Sequence, residues 1–556
     1  MNMNRLTCLG AAFILGIGLA KAEVILPQIL TDGMVVQRDR PLTLWGTASP
    51  GEEVTVKVVK GKKQTVTANA DGEWSASLPP LKTGKTYTIE VGDKRIENVA
   101  VGDVLLCSGQ SNMELPVSRV TDMFADEIAS YSNPDIRQFI VPKEVEFHCE
   151  RTDVSPAKWE SVDDNVMNFS ALAYFTAKEL NASTGLPVGI INASWGGTPV
   201  ESWISEETLA STPSTPVTDF AYYVNQKSLY EDDAYRDAIK AQEGRNYAAW
   251  NSTIDANDPG LKDVKYYSPS LDDSSWEEVD LFSTSWATNG MTPENGSHWF
   301  RKTIDIDTSH AGKAATLRLG CIVDADSVWV NGRQVGFTSY QYPPRIYPIP
   351  EGLLKEGKNV ISVRLISQNG TPHFVKEKPY KIIFGNRPYA VYGRTLPDEI
   401  SLEGKWRYAK GAPMFKGPDM MFYCYLPTVL YNAMIAPVIK YPVRGAMWYQ
   451  GESNVDRSNQ YPDLLKAMIG NWRQASGNSG MPFYIVELAD FLSKDDRGGR
   501  AAWQKMRDRQ KQVADEVEGA VLVPNSDLGE WNDIHPLDKK TLGQRAARLI
   551  LSDMAQ

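Results

Sequence analysis

The chain has few cysteines and few histidines, and both shortages limit what it can be. Only five of each occur in 556 residues. No two cysteines have the CxxC spacing of zinc or redox motifs, so a structural metal is not expected. Four cysteines would remain after loss of the N-terminal segment described below. They allow three full disulfide pairings, and buried free thiols are equally compatible with the sequence.

Clusters of positive charge and long apolar runs are also lacking. The net charge is −11, and no run of five basic residues occurs. Phosphate groups are bound by clustered Lys and Arg, so neither nucleic acid nor an anionic membrane is an expected partner. No stretch of 18 apolar residues follows the N-terminus, so no spanning helix is predicted. The content of 42% hydrophobic and 23% charged residues is typical of a globular protein.

Residues 1–22 have the pattern of a signal peptide. Arg5 precedes the apolar run LGAAFILGIGL at 9–19, and Ala20-Lys21-Ala22 has the small-x-small pattern of a cleavage site. We therefore expect a protein that starts near Glu23, is secreted or periplasmic, and is not inserted in a membrane after cleavage.

The order of patterns predicts several domains in one long chain. Residues 23–100 have alternating, β-branched segments separated by turns and predict a small β-sandwich. Residues 101–254 combine apolar strands with a helical pattern, which indicates a parallel α/β sheet. Residues 255–390 are again rich in strands, and the α/β character returns over 391–556. The chain is therefore predicted to contain one α/β domain split by a β-rich insertion.

A serine and a histidine are expected to meet at the edge of this sheet. Ser111 lies in CSGQSNM at 107–113, just after the apolar run VGDVLL, and His535 lies in NSDLGEWNDIHP after the last predicted strand. Sites in open α/β sheets form at the carboxyl ends of strands. Ser111 is thus a candidate nucleophile with His535 as its base, although most serines in such places are turn residues.

The orienting carboxylate and the oxyanion donors have candidates as well. Asp533, two residues before His535, can turn back to Nδ1 of the imidazole, or it can cap a turn or helix. The loops SWGGTPVESW at 194–203 and WYQGESN at 448–454 follow predicted strands, and their glycines leave backbone N–H groups accessible. Simple glycine turns are the alternative for both loops.

The set GQSNM, WGGTPVESW, WYQGESN and DIHP, in this order, resembles the sialate O-acetylesterase family of SGNH hydrolases. The resemblance implies a three-layer α/β/α domain and a serine esterase that removes O-acetyl groups from sugars without a metal or organic cofactor. An O-acetylated carbohydrate is then the partner. Acetylated sialic acid and acetylated hemicellulose such as xylan remain alternative substrates. A non-catalytic glycan-binding protein and a transacetylase are alternatives of other classes.

The resemblance also implies residue roles. Ser111 is the nucleophile, His535 the general base and acid, and Asp533 the residue that orients it. The oxyanion donors map to Ser111, Gly196 or Gly197, and Gln450. We further predict that Gln110, Asn112 and Glu452 bind substrate, and support of the loops is the alternative for Glu452.

One departure from the SGNH pattern concerns the acid. The common Asp lies three residues before the histidine, where this chain has Asn532. We favour Asp533 at the shorter spacing, and the alternatives are Asp527, another carboxylate, or a Ser–His dyad without a carboxylate.

The insertion resembles the jelly-roll domain found beside β-galactosidase catalytic domains, through HWFRKTIDI at 298–306 and DSVWVNGRQVG at 326–336. Trp299, Trp329 and YQYPPRIY at 340–347 are candidates for an aromatic surface that stacks on sugars. Packing in the core is the alternative.

Overall fold

A computed structural model describes residues 23–213, 217–289, 292–385, 389, 396 and 398–555. The predicted signal peptide therefore lies outside the described residues. The chain divides into two compact units. The first comprises Met1–Val120, Glu127–Asp232 and Phe422–Gln556, and the second comprises Thr121–Asp126 and Asp233–Met421. The sequence-based boundaries of the insertion, 255 and 390, both lie within the second unit.

The first unit begins with short strands: β1 (Val35–Gln37), β2 (Leu42–Thr47), β3 (Glu53–Val58), β4 (Lys63–Thr67), β5 (Glu73–Leu78) and β6 (Tyr87–Val91). Alternate residues of β3 and β5 are buried, as expected for strands with one face on a core. The next strand, β7 (Lys94–Gly109), pairs with β6 near its start and with the central sheet near its end. It runs without interruption across residue 100, where the sequence analysis placed a domain boundary.

Two further groups of elements follow β7. The strands are β8 (Ile136–Ile140), β9 (Trp159–Ser161) and β10 (Val188–Ser194). The helices are α1 (Ser111–Glu114), α2 (Thr121–Ala129), α3 (Val162–Asn165), α4 (Ala171–Thr184), α5 (Glu206–Ser211), α6 (Val217–Glu231) and α7 (Asp233–Asn257). The side chain of Ser170 caps α4 by accepting from the Ala173 N–H, which explains why this helix starts at Ala171.

The second unit is built mainly of antiparallel strands: β11 (Glu277–Asp280), β12 (Thr288–Asn289), β13 (Thr292–Pro293), β14 (Gly296–Ile306), β15 (Ala315–Leu319), β16 (Ile322–Val323), β17 (Ala325–Val330), β18 (Arg333–Thr338), β19 (Ile346–Ile349), β20 (Gly357–Ser367), β21 (His373–Phe374), β22 (Tyr380–Phe384), β23 (Glu399–Ser401) and β24 (Lys405–Pro413). A six-stranded sheet has the order β11-β24-β14-β20-β17-β18, and a four-stranded sheet has the order β19-β15-β22-β23. Phe300 and Ile361 of the first sheet share one core with Leu317 and Ile382 of the second. The two sheets therefore pack face to face.

The tryptophans of this unit correct one expectation. Trp299 is fully buried and Trp329 is 8% exposed, and the two rings stack on each other. They belong to the packed interior and do not form a surface for sugars. Tyr340 and Tyr342, in the same predicted set, are exposed.

The remaining elements complete the first unit: β25 (Gly445–Tyr449), β26 (Phe483–Val486), β27 (Ala520–Val523), α8 (Tyr461–Ser476), α9 (Arg497–Glu516) and α10 (Lys539–Met554). The central sheet has the order β27-β26-β25-β7-β10-β8, all parallel, with β9 antiparallel at the edge. Helix α4 packs on α10, and α8 packs on α9. Every residue of β10 and β25 is buried, as in parallel sheets covered on both faces. The predicted α/β class is confirmed.

Candidate active site

Three parallel strands end at the same level of the central sheet. Gly109, the last residue of β7, is in register with Ser194 at the end of β10 and with Tyr449 at the end of β25. The GQSNM, WGGTPVESW and WYQGESN motifs start at these ends. Loops at the carboxyl ends of parallel strands form the usual crevice for a ligand, so the sheet itself brings the three motifs together.

The turn before Ser111 is held by both neighbouring strands. The N–H of Gln110 donates to the Tyr449 carbonyl at 3.0 Å, and the N–H of Trp195 donates to the Gly109 carbonyl at 3.0 Å. Gly109 has φ +139°, and a Cβ there would lie 2.1 Å from the Tyr449 oxygen, so only glycine fits. Ser111 is thereby placed as the first residue of α1, where its N–H has no partner within the helix.

The side chains of Ser111 and His535 form a hydrogen bond. Nε2 of His535 lies 2.8 Å from Oγ of Ser111, although 424 positions separate the two in the chain. His535 is only 7% exposed, so its imidazole is largely desolvated, while Ser111 is partly buried. At this distance the imidazole can accept the hydroxyl proton. The predicted pair is brought together, and its catalytic role stays a prediction.

The two candidate carboxylates lie in different surroundings. Oδ1 of Asp533 accepts a hydrogen bond from the backbone N–H of His535 at 2.8 Å and lies 3.9 Å from its Nδ1. Asp527 is 64% exposed and is bound by the Arg545 guanidinium through both oxygens, at 2.6 and 2.7 Å. This bond lowers the pKa of Asp527. Asp533 is therefore the carboxylate beside the imidazole, at a distance longer than a hydrogen bond.

The Gly196–Gly197 loop lies against the helix that carries Ser111. A Cβ at Gly196 would lie 3.3 Å from Ser111 Cβ and 3.3 Å from Oε2 of Glu114. The Gly196 N–H donates to this carboxylate at 2.5 Å, and Glu114 also forms an ion pair with Lys143. One of the two predicted glycine donors is therefore bonded within the protein. The sequence analysis missed Glu114, whose only signal was its position one helical turn after the serine.

Gln450 uses its amide group inside the protein. It is fully buried, and its Nε2 donates to the Thr198 carbonyl at 3.2 Å and to Oδ1 of Asn454 at 2.7 Å. An amide has two N–H bonds, so both are committed here. These bonds tie the WYQGESN loop to the glycine loop, and a bond from Ser453 Oγ to the Gly197 carbonyl at 2.8 Å adds to them. The role of Gln450 as an oxyanion donor stays a prediction.

The three residues predicted to bind substrate form hydrogen bonds that link the motifs to one another. Nδ2 of Asn112 donates to Oε1 of Glu452 at 2.7 Å and to the Ile534 carbonyl at 2.8 Å. The Ser453 N–H donates to Oε1 of Gln110 at 3.3 Å. Burial raises the pKa of Glu452. The three side chains therefore position the loops around Ser111, and direct contact with substrate stays a prediction for each.

A buried lysine completes this network. Lys539 is 1% exposed, and its Nζ donates to Oδ1 of Asn112 at 2.7 Å and lies 5.4 Å from the centre of the Tyr449 ring. Burial lowers the pKa of Lys539 to about 8, although nearby carboxylates, with Glu452 first among them, oppose the shift. The sequence analysis missed this residue because lysine is almost never fully buried.

An exposed aromatic pair borders the glycine loop. The rings of Phe422 and Tyr425 stack with centroids 5.1 Å apart, and these residues are 52% and 40% exposed. A Cβ at Gly197 would lie 2.1 Å from the Tyr425 hydroxyl oxygen, so Tyr425 contacts this loop. Tyr423 between them is buried against Phe147 and anchors the segment. The sequence analysis did not identify this pair, because an aromatic residue in a loop gives no sign of its exposure.

Three cysteines are buried free thiols: Cys107, Cys321 and Cys424. A full pairing of the four cysteines that follow residue 22 is therefore excluded. Within the ranges described above, no group of three or more His, Cys, Asp or Glu side chains is arranged to hold a metal ion. Among the helices of the same ranges, none has the length and apolar character needed to cross a membrane.

Comparison with known proteins gives a family match that contains the WYQGESN and DIHP motifs. Residues 416–552 match the family described as "Carbohydrate esterase, sialic acid-specific acetylesterase". A sialate O-acetylesterase of Mus musculus is 29% identical over 197 residues, which cover 32% of this chain and 36% of that enzyme. The matched part thus spans about a third of the length of this curated relative.

The fold has a solved counterpart. A carbohydrate acetylesterase from Xanthomonas citri superposes on 96% of this chain and 76% of its own, with a TM-score of 0.54 and 22% identity, which shows a common fold. A beta-galactosidase of Bacteroides ovatus is 28% identical over 109 residues, 17% of this chain and 13% of that enzyme. This likeness supports the presence of an additional domain.

The family match shows a resemblance to the carbohydrate esterases. More narrowly, the predicted resemblance to the sialate O-acetylesterase family is confirmed.

Proposed function

We propose that this protein is an exported carbohydrate O-acetylesterase that removes O-acetyl groups from sialic acid through a serine acyl-enzyme. The observation that carries the proposal is the 2.8 Å contact between Ser111 Oγ and His535 Nε2 beside the shared strand ends. The family match over 416–552 supports sialic acid as the sugar. The signal-peptide pattern of residues 1–22 supports export.

The proposed reaction has two stages. His535 Nε2 accepts the hydroxyl proton of Ser111 while Oγ attacks the acetyl carbonyl carbon. The tetrahedral intermediate collapses to an acetyl-serine ester when His535 gives this proton to the departing sugar oxygen. Water then gives a proton to His535 and attacks the acetyl-serine. The second tetrahedral intermediate releases acetic acid, which ionises to acetate in solvent, and His535 returns its proton to Ser111 Oγ. No step needs a metal or an organic cofactor.

The oxyanion of each tetrahedral intermediate needs donors close to Ser111. The N–H of Ser111, at the start of α1, supplies the first donor in this proposal. We assign the second to Gly197, because the N–H of its neighbour Gly196 is bonded to Glu114. Loss of one such donor typically lowers kcat by about 10²–10³-fold.

The sugar ring is expected to lie on Phe422 and Tyr425. This pair is exposed, and Tyr425 contacts Gly197, whose neighbour Gly196 packs against Ser111. An aromatic face can cover the apolar face of a sugar ring, and the Tyr425 hydroxyl adds a polar group beside it. The acetyl group would then point toward Ser111.

In this proposal the first unit comprises a small β-sandwich followed by an SGNH-type three-layer α/β/α hydrolase domain, and a jelly-roll insertion splits the hydrolase domain in the sequence. The parallel sheet with its packed helix pairs supports the hydrolase part. The two antiparallel sheets that share one core in the second unit support the jelly roll.

The test is acetate release by the wild type, Ser111→Ala and a control, Ser130→Ala. Ser130 is an exposed serine whose Oγ donates to the Glu127 carbonyl at 3.2 Å. The substrates are a small acetyl ester, O-acetylated sialic acid and acetylated xylan. We expect release from the sialic acid by the wild type and Ser130→Ala, and none above background by Ser111→Ala. Serine-dependent acetate release from acetylated xylan alone would contradict sialic acid as the substrate and indicate acetylated xylan instead. No release from any substrate would favour a glycan-binding protein.

A further inference from the structure

Lys539 occupies a position that is unfavourable for a lysine on two counts. It is the first residue of α10, where the helix dipole favours negative charge. It is also 1% exposed, so its ammonium group has lost most of its hydration. The next residue, Lys540, instead reaches Glu127 at 2.6 Å with 36% of its side chain exposed. A residue that breaks local preferences in this way points to a functional constraint.

We propose that Lys539 is a positioning residue of the esterase site. Acting through Asn112, it holds the segment before His535 against the helix that begins at Ser111. This inference rests on the proposed function, since it assigns Lys539 a part in aligning the same serine and histidine. Lys539 itself does not touch the reacting atoms.

The hydrogen bonds fix the direction of this action. As an ammonium group, Nζ of Lys539 can only donate, so the Asn112 oxygen faces it at 2.7 Å. The amide nitrogen of Asn112 then faces the Ile534 carbonyl at 2.8 Å and the Glu452 carboxylate at 2.7 Å. Ile534 directly precedes His535. The lysine thus orients the Asn112 amide so that its nitrogen, and not its oxygen, faces the Ile534 carbonyl before His535.

The surroundings of Lys539 make this action dependent on pH. The titratable groups that face it are the carboxyl groups of Glu452, Asp533, Glu530 and Asp538, with the Tyr449 ring beside them. Burial outweighs these carboxylates and lowers the pKa of Lys539 to about 8. Above this pH the lysine loses its charge and no longer balances the carboxylates. We therefore expect the alignment of Ser111 and His535 to weaken as the pH rises through about 8.

The experiment compares Lys539→Met with Lys540→Met in the full-length protein. The readouts are the rate at which a fluorophosphonate probe labels Ser111, and kcat and KM for a small acetyl ester between pH 6 and 10. We expect Lys539→Met to lower the labelling rate and kcat by about 10²-fold, as misplacement of a catalytic group does, with little change in KM. Lys540→Met should match the wild type. The wild-type rate should fall above about pH 8, and Lys539→Met should lack this decline.

A second variant separates positioning from folding. Lys539→Met removes a positive charge that acts on the nearby carboxylate of Glu452, so Lys539→Met/Glu452→Gln removes both charges, and thermal unfolding checks each protein. A double variant that is folded and still slow supports the proposal. Wild-type rates in Lys539→Met, or a wild-type profile without a decline above about pH 8, would overturn it. A wild type that is labelled but releases no acetate from sugars refutes the proposed substrate alone. A wild type that is not labelled refutes both proposals.

Discussion

The carboxylate of Asp533 contacts His535 through the backbone and not through the ring. Oδ1 accepts from the His535 N–H at 2.8 Å, whereas its distance to Nδ1 is 3.9 Å. The carboxylate thus closes the turn that presents the imidazole and stays near enough to stabilise an imidazolium charge. Hydrogen bonds of this kind are often long before substrate binds, so the site can tighten in the complex.

Asp533→Asn tests the negative charge of this residue separately from its hydrogen bond within the turn. An asparagine oxygen can still accept from the His535 N–H, so the fold should be kept while the negative charge is lost. We expect kcat/KM for a small acetyl ester to fall by at least about 10²-fold, since the same change in a Ser-His-Asp triad costs about 10⁴-fold. Asp527→Asn is the control, because Asp527 pairs with Arg545 at the surface. A larger loss in this control would transfer the orienting role to Asp527, and equal activity of both variants and the wild type would indicate a dyad.

Glu114 is expected to hold the glycine loop in its active shape. Glu114→Ala removes the acceptor of the Gly196 N–H and the partner of Lys143. We expect kcat on a small ester to fall by about tenfold, as for other lost hydrogen bonds to a charged group. Glu114→Gln keeps an acceptor and should lose less. A rise in kcat for Glu114→Ala would show that Gly196 is the oxyanion donor and that Glu114 blocks it.

Two glycines beside the nucleophile should respond differently to alanine. In Gly109→Ala the new methyl would lie 2.1 Å from a backbone oxygen at φ +139°, so we expect a lower melting temperature or no folded protein. Strain at such a φ alone costs about 1–3 kcal/mol. In Gly196→Ala the methyl meets Ser111 Cβ at 3.3 Å, which the fold can accept with small shifts. This variant should melt near the wild type and lose esterase activity. Equal melting temperatures for both variants would contradict the account of the turn.

The central sheet could be predicted because its strands are continuous apolar runs. VGIINAS of β10 and GAMWY of β25 are buried along their whole length, which is the pattern of parallel strands between helices. The end of each run marked where a site loop begins. The proximity of Ser111 and His535 could be predicted because both follow the carboxyl ends of strands. The distance from the Asp533 carboxylate to the His535 ring could not be predicted, because it depends on the exact shape of one turn.

The charged residues around the pair could not be found in this way. Glu114 and Lys539 belong to types that usually lie at the surface. Their roles arise from partners 82 and 427 positions away in the chain, Gly196 and Asn112. The prediction that Trp299 contributes to a surface for sugars was wrong for a different reason. A tryptophan in a strand of alternating pattern can lie on either face of its sheet. Only the packing with Trp329 and Tyr267 decides that it is buried.

The aromatic pair offers a test of how the substrate binds. Phe422→Ala removes one of the two stacked rings, and the buried Tyr423 should keep the segment in place. Loss of a stacking ring should raise KM for an O-acetylated sugar by about tenfold, a cost of about 1.4 kcal/mol. The small acetyl ester has no ring to stack, so its KM should not change. Phe337→Ala, which removes a phenylalanine that is 69% exposed in the second unit, is the matched control. An equal rise in KM for both substrates in Phe422→Ala would mean that Phe422 supports the loop and does not contact the sugar. The sugar ring would then have to bind elsewhere around Gly197.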